Sequence, residues 1–78
     1  MKEIEYKALV KSLAILSIQI DPKVYLKCAA IILMMHKHDI PICKIWIQRK
    51  KNIVFEWTNS NLYITVSENH TSFYTVPA

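Results

Sequence analysis

Between Glu3 and about Ile18, the apolar residues Tyr6, Leu9, Val10, Leu13 and Leu16 recur at spacings of three and four, with Glu3, Glu5, Lys7 and Lys11 among them. That spacing brings side chains back to one face every 3.6 residues, so the segment is predicted to be an amphipathic helix. Asp21 and Pro22 then read as an N-cap followed by a proline at the first helical position, where a missing N–H costs nothing. A second helix is expected from Pro22 to about Lys37. After Lys23 and Lys27 it is apolar at every position from Cys28 to Met35, more than one face can hold. With Val24, Cys28, Ile31, Ile32 and Met35 turned inward, Ala30, Leu33 and Met34 are left on the flank. Either the first helix covers this flank, or Leu33 and Met34 form a dimer or partner interface, where methionine adapts its shape to what it meets.

Past Asp39, Ile40 and Pro41 the period changes from 3.6 to 2, and four strands are predicted at about Ile42 to Gln48, Ile53 to Thr58, Leu62 to Ser67 and Ser72 to Val76. Short connections between them imply an antiparallel meander. The chain has no glycine, so Asn52, Asn61 and Asn69 are the expected left-handed turn positions. Alternation puts Ile45, Ile47, Ile53, Phe55, Trp57, Leu62, Ile64 and Val66 on the side the helices cover. The opposite side carries Lys44, Trp46, Gln48, Val54, Glu56, Thr58, Tyr63, Thr65 and Tyr74. The fold class is therefore α+β, with two N-terminal helices packed on one face of a four-stranded antiparallel meander. Residues 1–78 form a single domain, with a helical half over 1–38 and a β-sheet half over 41–78.

Length and composition narrow this further. A chain of 78 residues that is 53% hydrophobic can build one core but not a second domain. A core this small offsets chain entropy only narrowly, which makes either a monomer or a homodimer an acceptable state. The net charge of +4 is spread over Lys37, Lys44 and Arg49 to Lys51 rather than gathered in one stripe. Direct nucleic-acid contact is thus a secondary expectation: an antitoxin-like regulator in which Lys44, Arg49, Lys50 and Lys51 meet phosphates. Cys28 and Cys43 do not form a disulfide framework, and the start Met1-Lys2-Glu3 lacks the pattern of a secretory signal. The apolar run from Cys28 to Met35 falls well short of the roughly 20 residues that span a bilayer. A soluble protein of the reducing cytoplasm of a bacterial host, with no membrane contact, is expected.

Chemistry is sparse. The carboxylates are Glu3, Glu5, Asp21, Asp39, Glu56 and Glu68, mostly at helix starts and turns. Glu56 alone sits inside a strand, where a cross-strand ion pair, for instance with Lys44, is its expected role. No nucleophile stands beside a base, and no phosphate-cradling loop forms without glycine, so no catalytic residue is expected. His36, His38, Cys43 and Cys28 lack the paired spacing of structural zinc ligands. The two histidines read instead as polar residues at a helix C-terminus, and His70 as a turn residue. Neither a metal nor another cofactor is expected.

The segments Ile53-Val54-Phe55-Glu56-Trp57, Leu62-Tyr63-Ile64-Thr65-Val66 and Phe73-Tyr74 give the half from Pro41 to Val76 a recurring look. It resembles a family of small uncharacterised bacterial and mobile-element proteins with an Ile-x-(Leu/Phe)-Glu-Trp hairpin. The family pattern has glycine in turns that here hold Lys51, Asn52 and Asn69, and the resemblance implies no enzyme activity. In size and composition the chain also resembles phage-encoded inhibitors of bacterial defence of the anti-CRISPR type. That likeness implies a non-catalytic, stoichiometric inhibitor that binds a host protein or ribonucleoprotein complex. The expected partner-binding residues are Trp46, Gln48, Arg49, Lys50, Lys51, Glu56, Tyr63 and Tyr74, since large aromatics with a few charges suit such surfaces.

Overall fold

In the computed structural model of the chain, which describes residues 1–49 and 51–76, the first apolar stripe folds as α1 (Glu3–Leu16). Its Leu9 and Leu13 are buried and Tyr6 and Leu16 half-buried. The Glu5 carboxylate accepts the Lys2 backbone N–H at 2.9 Å, which satisfies one of the donors a helix start leaves unpaired. The helix stops short of Ile18 because Ser17 begins a tight 3-10 turn, Ser17–Gln19, and its hydroxyl donates to the Ala14 carbonyl.

The second helix, α2 (Pro22–Lys37), starts as its sequence requires: Asp21 Oδ1 accepts the Lys23 N–H at 2.8 Å, with Pro22 at the first position. Its far end is closed by paired backbone bonds, Asp39 N–H to the His36 carbonyl and Ile40 N–H to the Met35 carbonyl. This closure needs a left-handed residue, usually glycine, and here Asp39 takes it at φ 54°. The Met1 ammonium pairs with the Asp39 carboxylate and holds its carboxyl below the usual range, by a hydrogen bond first and by its charge second.

Four strands follow as an antiparallel meander in the order β1 (Lys44–Gln48), β2 (Asn52–Trp57), β3 (Leu62–Val66) and β4 (Thr71–Thr75). The register confirms the face assignment: Ile45, Phe55, Ile64 and Phe73 form one row across the sheet, and Ile47, Ile53 and Val66 another. These rows face α1 and α2. Leu9 and Leu13, with Val24, Cys28, Ile32 and Met35 of α2, close the core over Ile53, Phe55, Trp57 and Val66.

Several boundaries and turns differ from expectation. Ile42 and Cys43 lie in the connector before β1, held there as the Trp57 indole donates to the Pro41 carbonyl at 2.8 Å. Thr58 opens a 3-10 turn, Thr58–Ser60, and Ser67 and Val76 also lie outside the strands. Asn61 takes the left-handed position at φ 51°, but Asn52 and Asn69 do not. Asn52 sits opposite Gln48 in the ladder rather than in the turn, and a positive φ falls on Arg49 at 55°. At the β3–β4 hairpin the Ser67 hydroxyl accepts the His70 N–H at 3.2 Å and donates to the His70 carbonyl at 2.7 Å, so a side chain bridges the turn.

The expectation that α1 covers the α2 flank is corrected. α1 packs on the other side of α2, where Tyr6 stacks on His36 at 4.1 Å and His36 Nε2 lies 3.3 Å from Glu3. Leu33 is accordingly 56% exposed and Met34 51% exposed. α1 rests on β1 and α2 on β2 and β3, while β4 is exposed along its whole length.

Candidate functional site

The open sheet face is a lattice set by register. Lys44, Glu56, Tyr63 and Tyr74 form one row, and Trp46, Val54, Thr65 and Ser72 the next. Gln48 lies opposite Asn52 at the end nearest the Arg49–Lys51 turn. Trp46 Nε1 donates to Glu56 Oε1 at 3.1 Å, and the Tyr63 and Tyr74 rings stack at 5.2 Å with planes 12° apart. Glu56 thus serves the neighbouring tryptophan rather than Lys44, although Lys44 stands directly opposite it; the ion pairs among the described residues lie elsewhere. Trp46 is 39% exposed and Tyr74 46% exposed, so each presents an edge or face to solvent while its remaining surface is held by neighbours.

Val54 is the exception on this open face. It belongs to this face yet is completely buried, with Trp46 and Thr65 as its direct cross-strand neighbours and Glu56 diagonal to Trp46 beside it. With Val54 packed opposite Trp46, the indole bonded to Glu56 and Tyr63 stacked on Tyr74, each of these aromatic side chains has a neighbour that favours one arrangement.

The structure therefore brings together Trp46, Glu56, Tyr63 and Tyr74, with Gln48 at one end. Arg49 and Lys51 are exposed in the adjoining turn; Lys50 lies outside the described residues. A contiguous face of ordered aromatics with a carboxylate and flanking cations can recognise a protein surface by shape and by a few polar contacts.

A second feature was not legible in the sequence. On the helix side, a cleft of about 840 Å³ opens between the second half of α2, the connector and the β2–β3 end of the sheet. Ile31, Met34, Ile40, Trp57, Leu62 and Ile64 line it, and Asn59 and Ser60 add polar atoms. It exists because α2 stops over β3, a position determined by its packing on α1 and by the short connector from Lys37 to Lys44. Phe73, next to Ile64 in the same row, is 76% exposed for the same reason.

The candidate metal ligands are not gathered: no group of three His, Cys, Asp or Glu side chains that could hold an ion forms among the described residues. Cys28 and Cys43 are free, and burial pushes both thiols up to about 12, so both stay protonated and unreactive at neutral pH. His36 serves the α1–α2 contact; its Nδ1 is buried without a partner. Among the described residues, no helix is long and apolar enough to cross a membrane. No protein-family model, no curated protein and no solved structure matches the chain.

Proposed function

We propose that this chain is a non-catalytic protein-binding module that acts stoichiometrically by covering part of a partner's surface with its open sheet face. The observation that carries the reading is the ordered aromatic face itself: Trp46 held by Glu56 over buried Val54, and Tyr63 stacked on Tyr74. Side chains already held in the free protein lose little entropy on binding, and tryptophan and tyrosine are enriched among the few residues that carry most of the energy at protein interfaces. The likeness to phage-encoded inhibitors directs the search to bacterial defence complexes, with inhibition by occlusion as the mechanism.

The test is capture of partners from bacterial lysate by the tagged protein at low and moderate salt, repeated with Trp46→Ala/Tyr74→Ala and, as a control on the opposite face, Phe73→Ala. A partner retained by wild type and Phe73→Ala but lost by the double variant, with all three folded by circular dichroism, supports the reading. A partner that survives the double variant removes it. Recovery of nucleic acid alone, lost as salt rises, moves the function to the basic turn with Arg49 and Lys51.

A further inference from the structure

The two edges of the sheet are treated differently. β1 carries Lys44, is followed by Arg49, and is roofed by α1. Charge and cover are the usual ways a protein keeps an edge strand from pairing with another chain. β4, Thr71-Ser72-Phe73-Tyr74-Thr75, has neither: it carries no charged side chain and every residue in it is exposed.

The β3–β4 ladder determines which β4 backbone groups are free. Ser67 N–H donates to the His70 carbonyl and Val76 N–H to the Asn61 carbonyl, each at 2.9 Å. In an antiparallel pair, hydrogen-bonded positions alternate along the strand. With Val66 opposite Thr71 and Tyr63 opposite Tyr74, Ser72 and Tyr74 point their backbone groups at β3. Thr71, Phe73 and Thr75 point theirs outward, and their side chains are the ones on the helix side.

This pattern is self-complementary about Phe73. A second copy brought up antiparallel, with a two-fold axis through that residue, sets Phe73 against Phe73 of the partner subunit and Thr71 against Thr75 of the partner subunit. Every outward N–H and carbonyl of the strand then meets its counterpart. Moving the axis to Ser72 or Tyr74 leaves part of the row unpaired. The centred register also sets two exposed phenylalanines side by side, a favourable cross-strand pair.

We propose that the chain forms a two-fold dimer by antiparallel β4–β4 pairing centred on Phe73. The two sheets become one eight-stranded sheet, and the two open aromatic faces become one continuous surface. This goes beyond the binding reading above and does not depend on it. A five-residue edge extends only about 17 Å, less contact than a standard stable interface buries, so the dimer dissociates in the micromolar range rather than being permanent.

The test is sedimentation velocity from roughly 1 µM to 1 mM, with amide exchange by NMR at both ends of that range. Wild type is expected to self-associate as concentration rises. Protection is gained at the Thr71, Phe73 and Thr75 amides and unchanged at those of Ser72 and Tyr74. Thr75→Pro removes an outward N–H while leaving the β3–β4 ladder intact, and Phe73→Lys places a charge on the seam at an exposed position. Each is expected to weaken association at least tenfold with an unchanged circular dichroism spectrum. A wild-type monomer at the highest concentration overturns the proposal, as does association that persists in the folded Phe73→Lys protein. Protection gained instead at Leu33 and Met34 on the α2 flank also overturns it.

Discussion

Phe55 and Phe73 belong to the same row of the sheet, separated only by Ile64 of β3, and both point to the helix side. Phe55 is fully buried, and Phe73 is among the most exposed large side chains in the protein. Strand alternation decided which way each ring points, but what lies above each ring was decided by α2, which rests on β2 and β3 and leaves β4 bare. The pair separates two questions that a hydrophobic pattern merges: which face a residue is on, and whether that face has a cover. In the β1–β2 half both have the same answer. Beyond β3 they part: β4 is the unprotected edge, and the apolar cleft opens at the β2–β3 end of the sheet.

The sharpest way to break this comparison is to truncate each ring in turn. Phe55→Ala opens a cavity under α2 and is expected to cost about 3–5 kcal/mol. Phe73→Ala removes a ring that touches little and is expected to change monomer stability by less than about 0.5 kcal/mol. Urea unfolding at low protein concentration measures both. A loss above 2 kcal/mol for Phe73→Ala, as an order of magnitude, means that something covers β4 in the monomer.

A smaller effect is expected on the other face of the sheet, where no helix contributes. Val54 is fully buried there, opposite Trp46 and Thr65 in the ladder. Val54→Ala is expected to cost about 2 kcal/mol and to loosen Trp46, seen as a red shift and reduced anisotropy of its fluorescence against Trp57→Phe as background. Unchanged stability and fluorescence in that variant would sink the idea that Val54 anchors the aromatic face.

How much of this was written in the sequence follows the same division. The two helices, the meander and the face of each strand residue could be read because each rests on local periodicity and on register, which a single face of apolar residues fixes strongly. Asp21 and Pro22 announced their helix start because the chemistry of that cap is local. The left-handed positions were harder. Asparagine is favoured there, but Arg49 and Asp39 take the conformation because the ladder and the helix closure leave no choice at those sites. The residues of the aromatic face were legible, whereas its ordering was not: the burial of Val54 and the bond from Trp46 to Glu56 depend on side chains from neighbouring strands. The cleft was not legible at all. It depends on where α2 comes to rest, and that is a property of the packing between α1, α2 and the connector rather than of any segment.

If β4 lacks helix cover, something else must help hold the β3–β4 hairpin to the rest of the molecule, and Lys27 is placed to do it. From the first half of α2 its ammonium donates to the Ser67 carbonyl at 3.0 Å and the Glu68 carbonyl at 2.8 Å, with Lys23 lying 3.8 Å from the Glu68 carboxylate. Bonds from a cation to carbonyls are worth more than neutral ones, but this site is partly open to water and the gain is screened accordingly. Lys27→Met keeps the aliphatic stem and removes the donors, so the expected global loss is only about 1 kcal/mol. Its more telling effect is local. Amides in the turn and in β4, such as His70 and Ser72, are expected to exchange faster relative to those of β1 and β2, because the variant frees the bare edge before it weakens the covered strands. A uniform increase across all four strands would instead show that the sheet opens as one unit, and that the difference between Phe55 and Phe73 is one of exposure without a difference in cooperativity.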